Sequence, residues 1–253
     1  MNSKKIALIT GGSRGLGRDM AISIAKKGID VLLTYHSNET AANEVVNDII
    51  SLGQKAKAFQ LDTSNTKNFP GFVATLSDYL AQQYGKSNFD FLVNNAGTGV
   101  YGSVTDTTEE AFDSMMNIHF KGVYFITQKL LPLINDGGTI INISSGLTRI
   151  TFPNVSAYAS MKGAIETYTK CLAKELGARK ITANVVAPGS IATDFGGGST
   201  KTNEDKRKAI TSITALGRVG EPEDIGGVVA FLCTPEAGWM NGQRIELSGG
   251  MMV

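Results

Sequence analysis

The chain predicts a doubly wound α/β fold, with one domain, a seven-stranded parallel sheet and helices on both of its faces. Three observations predict it. Seven short runs rich in β-branched and aliphatic residues alternate with helix-length amphipathic segments along the 253 residues. The runs are apolar throughout rather than at every second residue, which marks strands covered on both sides. A glycine-rich turn, Thr10-Gly11-Gly12-Ser13-Arg14-Gly15-Leu16-Gly17, joins the first run to the first helical pattern.

The first strand spans 6–9, and the glycine turn follows it directly. Backbone N–H groups at a helix N-terminus, unobstructed by side chains, form a site for a pyrophosphate. In that reading Gly11 permits the tight turn, Gly15 lets backbone approach the phosphate, and Gly17 lets the helix pack closely on the sheet. Ser13, Arg14 and Leu16 share the loop. The helix runs through Met20, Ala21, Ile22, Ile24 and Ala25. Further strands are expected at 31–34, 56–60, 89–93, 139–143, 182–186 and 244–247, and helices at 41–52, 72–84, 109–133, 157–176 and 223–232. Right-handed crossovers then place ligands at the carboxyl ends of the strands, near the point where strand order reverses. No Pro/Ser-rich linker interrupts the pattern, so one domain covers 1–253. The stretch 194–206 alone is irregular, with Gly196-Gly197-Gly198-Ser199 before polar residues. It reads as filler or as a substrate lid extending to about 213, and its place after a strand end favours the lid.

Composition narrows the function classes. Lys and Arg number 24 against 23 Asp and Glu, a formal charge of +1, which gives no broad basic field for nucleic acid. Lys206-Arg207-Lys208 reads as a solvated helix face. The N-terminal apolar run is too short for a signal-peptide core, and no run reaches membrane-span length. Cys171 and Cys233 show no pairing pattern and read as small core residues in a reducing, cytoplasmic setting. His36 and His119 lack neighbouring ligand spacing, so no metal site is expected.

Several loops carry chemistry-bearing residues. Asn94-Asn95-Ala96-Gly97 follows the fourth strand, where its amides can brace the glycine turn or form an Asx-type loop. Asn117 lies within a long helical pattern, either as a packing device or as a water-holding group that kinks the helix. Ser144-Ser145-Gly146 follows the fifth strand and suits a helix or turn start. Tyr158 and Lys162 stand one helical turn apart on one face. A tyrosine hydroxyl ordinarily titrates near about 10, and a fixed ammonium nearby lowers it. A phenol so tuned can give a proton to a carbonyl oxygen, or take one from an alcohol.

Taken together, these motifs resemble the short-chain dehydrogenase/reductase family along essentially the full chain. The glycine turn spans Thr10 to Gly17, the Asn-Asn-Ala-Gly motif Asn94 to Gly97, and the Tyr-x-x-x-Lys pair is Tyr158 and Lys162. A Pro-Gly turn stands at Pro188-Gly189, with Ile191 and Thr193 just beyond. The resemblance implies a Rossmann-like fold and an oxidoreductase that interconverts a carbonyl and a secondary alcohol by hydride transfer. It makes Tyr158 the general acid/base and Lys162 the group that tunes it and holds the nicotinamide ribose. It makes Ser145 the substrate-orienting hydroxyl, with Ser144 as its neighbour. It makes Asn117 the holder of a water that links Lys162 to solvent. Leu61, Asp62 and Thr63 would meet the adenine, Asp62 also being suited to cap the next helix. Asn95, Ala96 and Gly97 would line the cofactor site, and the backbone at 187–191 with Thr193 would meet the nicotinamide amide.

The cofactor preference is read from the second strand's end, Thr34-Tyr35-His36-Ser37-Asn38, which has no acid at its tip. An acid there ordinarily binds the ribose 2′-hydroxyl of NAD. Glu39 fits better as a first-turn helix acid behind a Ser37 or Asn38 cap. Arg14 can grip a 2′-phosphate instead, with Ser37, Asn38 and His36 beside it. NADP(H) is therefore expected over NAD(H). The resemblance also implies a homotetramer, or failing that a dimer, pairing through helices 109–133 and 157–176 and the segment 239–253. A small-molecule carbonyl or alcohol is the expected substrate. The C-terminal run is similar to that of 3-oxoacyl-[acyl-carrier-protein] reductases, although the segment 131–137 lacks their basic residues and leaves only Arg179 and Lys180 as a partial patch. A non-catalytic NADP-binding regulator is disfavoured, because Asn117, Ser145, Tyr158 and Lys162 are all present.

Overall fold

The computed structural model describes residues 4–253. Seven parallel strands form one sheet: β1 (Ile6–Ile9), β2 (Asp30–Tyr35), β3 (Ala56–Gln60), β4 (Phe89–Asn94), β5 (Ile134–Ile143), β6 (Thr182–Pro188) and β7 (Arg244–Leu247). Their order is β3-β2-β1-β4-β5-β6-β7, so the winding reverses between β1 and β4. Every residue of β1, β2 and β4 is buried, as the unbroken apolar runs predicted. The edge strands β3 and β7 are only partly covered.

Helices cover both faces. On one lie α1 (Gly15–Ala25), α2 (Glu39–Ser51) and α9 (Glu223–Leu232), where Met20, Ile24, Val45, Ile49, Ile225 and Val229 pack on Ile9, Leu33 and Val93. On the other lie α3 (Phe69–Tyr84), α5 (Gly122–Leu130) and α6 (Ser156–Glu175), where Phe72, Leu76, Ile126 and Leu172 meet Leu8, Leu92 and Ile140. Each such side chain, fully removed from water, contributes about 1.5–3 kcal/mol. Two separate cores, one per face, are what hold a sheet of this kind.

Three expectations need correction. The pattern 109–133 is not one helix: α4 (Glu109–Met116) passes into a π-helical turn at Asn117–Lys121 before α5 begins. The segment 194–206 is irregular only at its start, where Gly196, Gly197 and Gly198 all take positive φ, before α7 (Ser199–Thr202) and α8 (Glu204–Ser212). Cys171 is exposed, whereas Cys233 is buried as expected. Met251 is buried within its own chain and bridges Thr214, but Met252 and Val253 are exposed. Among the described residues no helix is long and apolar enough to cross a membrane, and no group of three or more acidic, His or Cys side chains could hold a metal.

Candidate active site

At the switch point the loops after β1 and β4 lock together. Thr10 Oγ1 accepts from the backbone N–H groups of Asn95 and Ala96, both at 3.0 Å. Asn95 Nδ2 donates to the carbonyls of Thr10 and Gly11, both at 2.9 Å. Of the two roles open to the Asn-Asn motif, bracing the glycine turn is the one found. Gly11 turns with φ +66°, and a Cβ on Gly17 would stand 2.1 Å from the Gly11 carbonyl oxygen, so only glycine lets α1 start so close to the strand. No side chain caps α1, and its first turn holds no acid. Its leading N–H groups therefore remain free to bind an anion.

That turn opens into a cavity of about 1060 Å³, large enough for a dinucleotide and a substrate together. Gly11, Ser13, Arg14, Gly15, Leu16 and Gly17 line one end. Tyr35, His36, Leu61, Asp62 and Thr63 follow at the ends of β2 and β3, then Asn95, Ala96 and Gly97 after β4. Pro188, Gly189, Ile191 and Thr193 close the side beyond β6. Arg14 is exposed and makes no ion pair among the described residues. Asp62 accepts from the N–H and hydroxyl of Ser64 at 2.9 and 2.7 Å. Burial raises its pKa, but those bonds outweigh it and hold the carboxyl below its ordinary value. Asp62 thus braces its own turn, and Asn65 caps the helical turn that follows.

Three expected residues do not line the cavity: Ser37, Asn38 and Asn117. Asn38 is spent on capping α2, its Oδ1 accepting from Ala41 N at 2.9 Å, and Ser37 lies beyond the rim beside it. Asn117 heads the π-helical turn, and the residues of that turn that line the wall are Ile118 and His119.

Ser145, Tyr158 and Lys162 meet at the other end of the cavity. Ser145 Oγ accepts from Leu147 N at 3.2 Å, so it caps a short turn and faces the site at once. Ser144 points the other way, donating to Glu166 Oε1 at 2.8 Å. Tyr158 is 8% exposed. Burial, and then Tyr101, push its phenol above the ordinary value, with the Ser145 hydroxyl pulling in the opposite direction. Lys162 Nζ donates to the Ile143 carbonyl at 2.7 Å and lies 5.6 Å from the Tyr158 ring centre. Burial brings the Lys162 pKa down to about 7. Burial thus opposes the expected acidification of Tyr158 by Lys162.

Of the other residues at or behind the site, His119, Glu166 and Arg244 carried no signal of their own in the sequence, whereas Phe195, Ile210 and Ile213 belong to the segment expected to form a lid. The His119 ring stands perpendicular to Tyr158 with centres 5.1 Å apart. Phe195, at the start of the segment expected to be a lid, approaches Tyr158 to 5.8 Å between ring centres, and Ile210 and Ile213 add to the same apolar wall. Behind the Ser145 turn, Arg244 of β7 holds Glu166 of α6 at 2.7 Å and Glu246 at 2.7 Å, and donates to the Ser145 carbonyl at 3.2 Å. Arg179, a candidate for a docking patch, is engaged with Asp136 of β5 at 2.8 Å and the Leu131 carbonyl at 2.9 Å.

Comparison with known proteins agrees with this architecture. A family model described as enoyl-(acyl carrier protein) reductase matches residues 11–252. The tetrahydroxynaphthalene reductase PfmaG of Pestalotiopsis fici is 37% identical over 97% of this chain and 91% of its own length. The promiscuous reductase LugOII, which catalyses keto-reduction at C1 during lugdunomycin biosynthesis, superposes with a TM-score of 0.93 at 37% identity, covering all of both chains. The landomycin C-6 ketoreductase LanV, solved with NADP and rabelomycin, superposes with a TM-score of 0.89 at 37% identity, over 98% of this chain and 96% of its own. With the glycine turn, the Asn-Asn-Ala-Gly brace and the Tyr-x-x-x-Lys pair converging on one cavity, the chain belongs to the short-chain dehydrogenase/reductase family of oxidoreductases.

Proposed function

We propose that this chain reduces a ketone to a secondary alcohol with NADPH, Tyr158 giving the proton. One observation carries the reading: a single cavity joins the uncapped N-terminus of α1 and the unpaired Arg14 to the buried Tyr158. The residues fit the cofactor. The free N–H groups of α1 would hold the pyrophosphate, Arg14 and His36 the 2′-phosphate, Asp62 and Thr63 the adenine side, and Thr193 with the backbone after Pro188 the amide. The absence of an acid at the end of β2 supports NADP(H) over NAD(H), as does the NADP held by LanV.

When bound, the nicotinamide supplies the hydride. The chain's own residues do the rest. Ser145 and Tyr158 hydroxyls donate to the substrate carbonyl oxygen and stabilise the negative charge that develops there. Burial keeps the Tyr158 phenol protonated at neutral pH, so it is ready to give its proton to that oxygen. Lys162, anchored on Ile143, holds an exchangeable proton at Nζ one helical turn away, available to restore the phenol.

The substrate end is walled by Tyr101, Leu147, Ile150, Phe152, Phe195 and Met251. That wall favours a flat, ring-bearing ketone, the class handled by the naphthalene and angucycline reductases to which the chain is similar. Because Arg179 is held by Asp136 at the start of β5, it is not free to dock an acidic carrier protein. Turnover of NADPH with a fused-ring ketone, a short aliphatic ketone and a 3-oxoacyl thioester tests this reading. Preference for the thioester would overturn it. Exposed Tyr124 and Phe125 on α5, and Trp239 and Leu216 near the C-terminus, support the homotetramer, which light scattering checks.

A further inference from the structure

Tyr158, Lys162 and Glu166 recur every fourth residue along α6 and share one of its faces. Tyr158 and Lys162 line the cavity, whereas Glu166 lies behind its wall. There its Oε1 accepts from Ser144 Oγ at 2.8 Å, Thr148 Oγ1 at 2.7 Å and Arg244 Nε at 2.7 Å. Arg244 reaches further. Its Nη1 donates to Glu246 at 2.7 Å, and its Nη2 to Thr148 Oγ1 at 3.0 Å and to the Ser145 carbonyl at 3.2 Å. Two carboxylates and a hydroxyl thus fix the guanidinium plane, and the plane in turn grips the backbone of Ser145. Ser145 Oγ, on the cavity side, accepts from Leu147 N at 3.2 Å.

The Arg244 and Glu166 side chains are only 9% and 18% exposed. Removing two such charges from water offsets most of their attraction, so the pair gains little stability over an apolar pair of the same size. What it does supply is direction. A planar fork holds its acceptors at fixed angles, as an ammonium on a flexible stem does not.

We propose that Arg244 is a positioning residue, aimed by Glu166 and Thr148 so that it holds the Ser145 backbone and points the Ser145 hydroxyl at the substrate carbonyl. The inference rests on Ser145 as a donor to that oxygen. A donor that meets charge developing in the transition state loses effect when it can swing, so the arrangement acts on kcat.

Steady-state NADPH oxidation with a fused-ring ketone tests this, with kcat expressed per NADPH-binding site so that unfolded protein does not count. Arg244→Met and Arg244→Lys are both expected to lower kcat by about 10–50-fold, with the KM for NADPH within about twofold. Thr148→Val is expected to lower it by about 3–10-fold, and Thr148→Ser, which keeps the hydroxyl, to retain the wild-type rate. In a Ser145→Ala background, Arg244→Met and Thr148→Val should each change kcat by less than about twofold, because the group they aim is gone. Wild-type kcat in the Arg244 variants would overturn the inference, assigning the pair to stability alone. Equal fold losses with and without the Ser145 hydroxyl would overturn it too. If the Arg244 variants do not fold, Thr148→Val decides by the same two criteria. Ser145→Ala alone keeps the two readings distinguishable. Near-normal turnover there refutes Ser145 as the donor and this inference with it. Loss there, with Arg244→Met and Thr148→Val at wild-type rate, refutes this inference alone.

Discussion

Lys162 donates its ammonium to the Ile143 carbonyl at 2.7 Å, in a setting where Tyr158 and His119 are its aromatic neighbours. The charge is held by a β-strand backbone group instead of a carboxylate. Nothing anionic offsets its desolvation, and its pKa falls to about 7.

That pKa makes the reaction pH-dependent. Because kcat/KM reports the free enzyme, it should fall roughly tenfold per pH unit above about 7 in the reductive direction. Lys162→Arg, whose guanidinium keeps its proton throughout this range and cannot supply it to the phenol, should lose most of the turnover. A flat wild-type profile between about pH 6 and pH 9 would contradict the account. Stability runs the opposite way, rising with pH between about 7 and 10.5 as the buried ammonium loses its proton. The folded pKa lies below the unfolded value of 10.5, so the ammonium destabilises the native state below that pH, and the cost is complete below about 7. Lys162→Met should therefore abolish turnover while holding or raising the thermal midpoint near neutral pH.

Arg14 should control cofactor choice. It is exposed, has no ion pair among the described residues and stands beside the uncapped start of α1. Arg14→Ala is expected to raise the KM for NADPH by about 10–100-fold, the loss of a charge-assisted phosphate contact, and to leave that for NADH within about twofold. Equal effects on both cofactors would show that the guanidinium serves the shared pyrophosphate instead.

Much of this was legible in the sequence, for a physical reason. Glycines at 11, 15 and 17 answer local backbone demands, and a Tyr-x-x-x-Lys pair shares a helix face by geometry alone. The strands of the sheet interior show as unbroken apolar runs. What escaped depends on distant or competing interactions. His119 reaches Tyr158 only through the π-helical turn, which apolar periodicity cannot reveal. Asn38 was open to two uses, and capping α2 is the one found. β5 begins at Ile134, ahead of Asn135-Asp136-Gly137-Gly138, because Ile134 pairs with Phe89 despite a turn-like composition. Arg244 and Glu166 lie 78 residues apart, with no local pattern linking them.

The Arg244–Glu166 pair should support the Ser145 turn. Burial alone would raise the Glu166 pKa, but hydrogen bonds from Arg244, Thr148 and Ser144 outweigh it and hold the carboxyl below its ordinary 4.5. A depressed folded pKa stabilises above the unfolded value and is lost as pH falls through the folded one. Glu166→Gln should therefore cost stability at neutral pH, about 1–2 kcal/mol or a few degrees in Tm, and cost progressively less below about pH 4. A penalty independent of pH would show that shape, not charge, is what the site needs.

The central claim is that a buried, protonated Tyr158 gives the proton. Its most direct test is steady-state NADPH oxidation with a fused-ring ketone, wild type beside Tyr158→Phe, with NADPH affinity measured by titration in both. The account predicts a loss of about 10²–10⁴ in kcat with affinity within about threefold, since the phenyl ring keeps the packing and loses only the hydroxyl. Turnover in the variant close to wild type would contradict it.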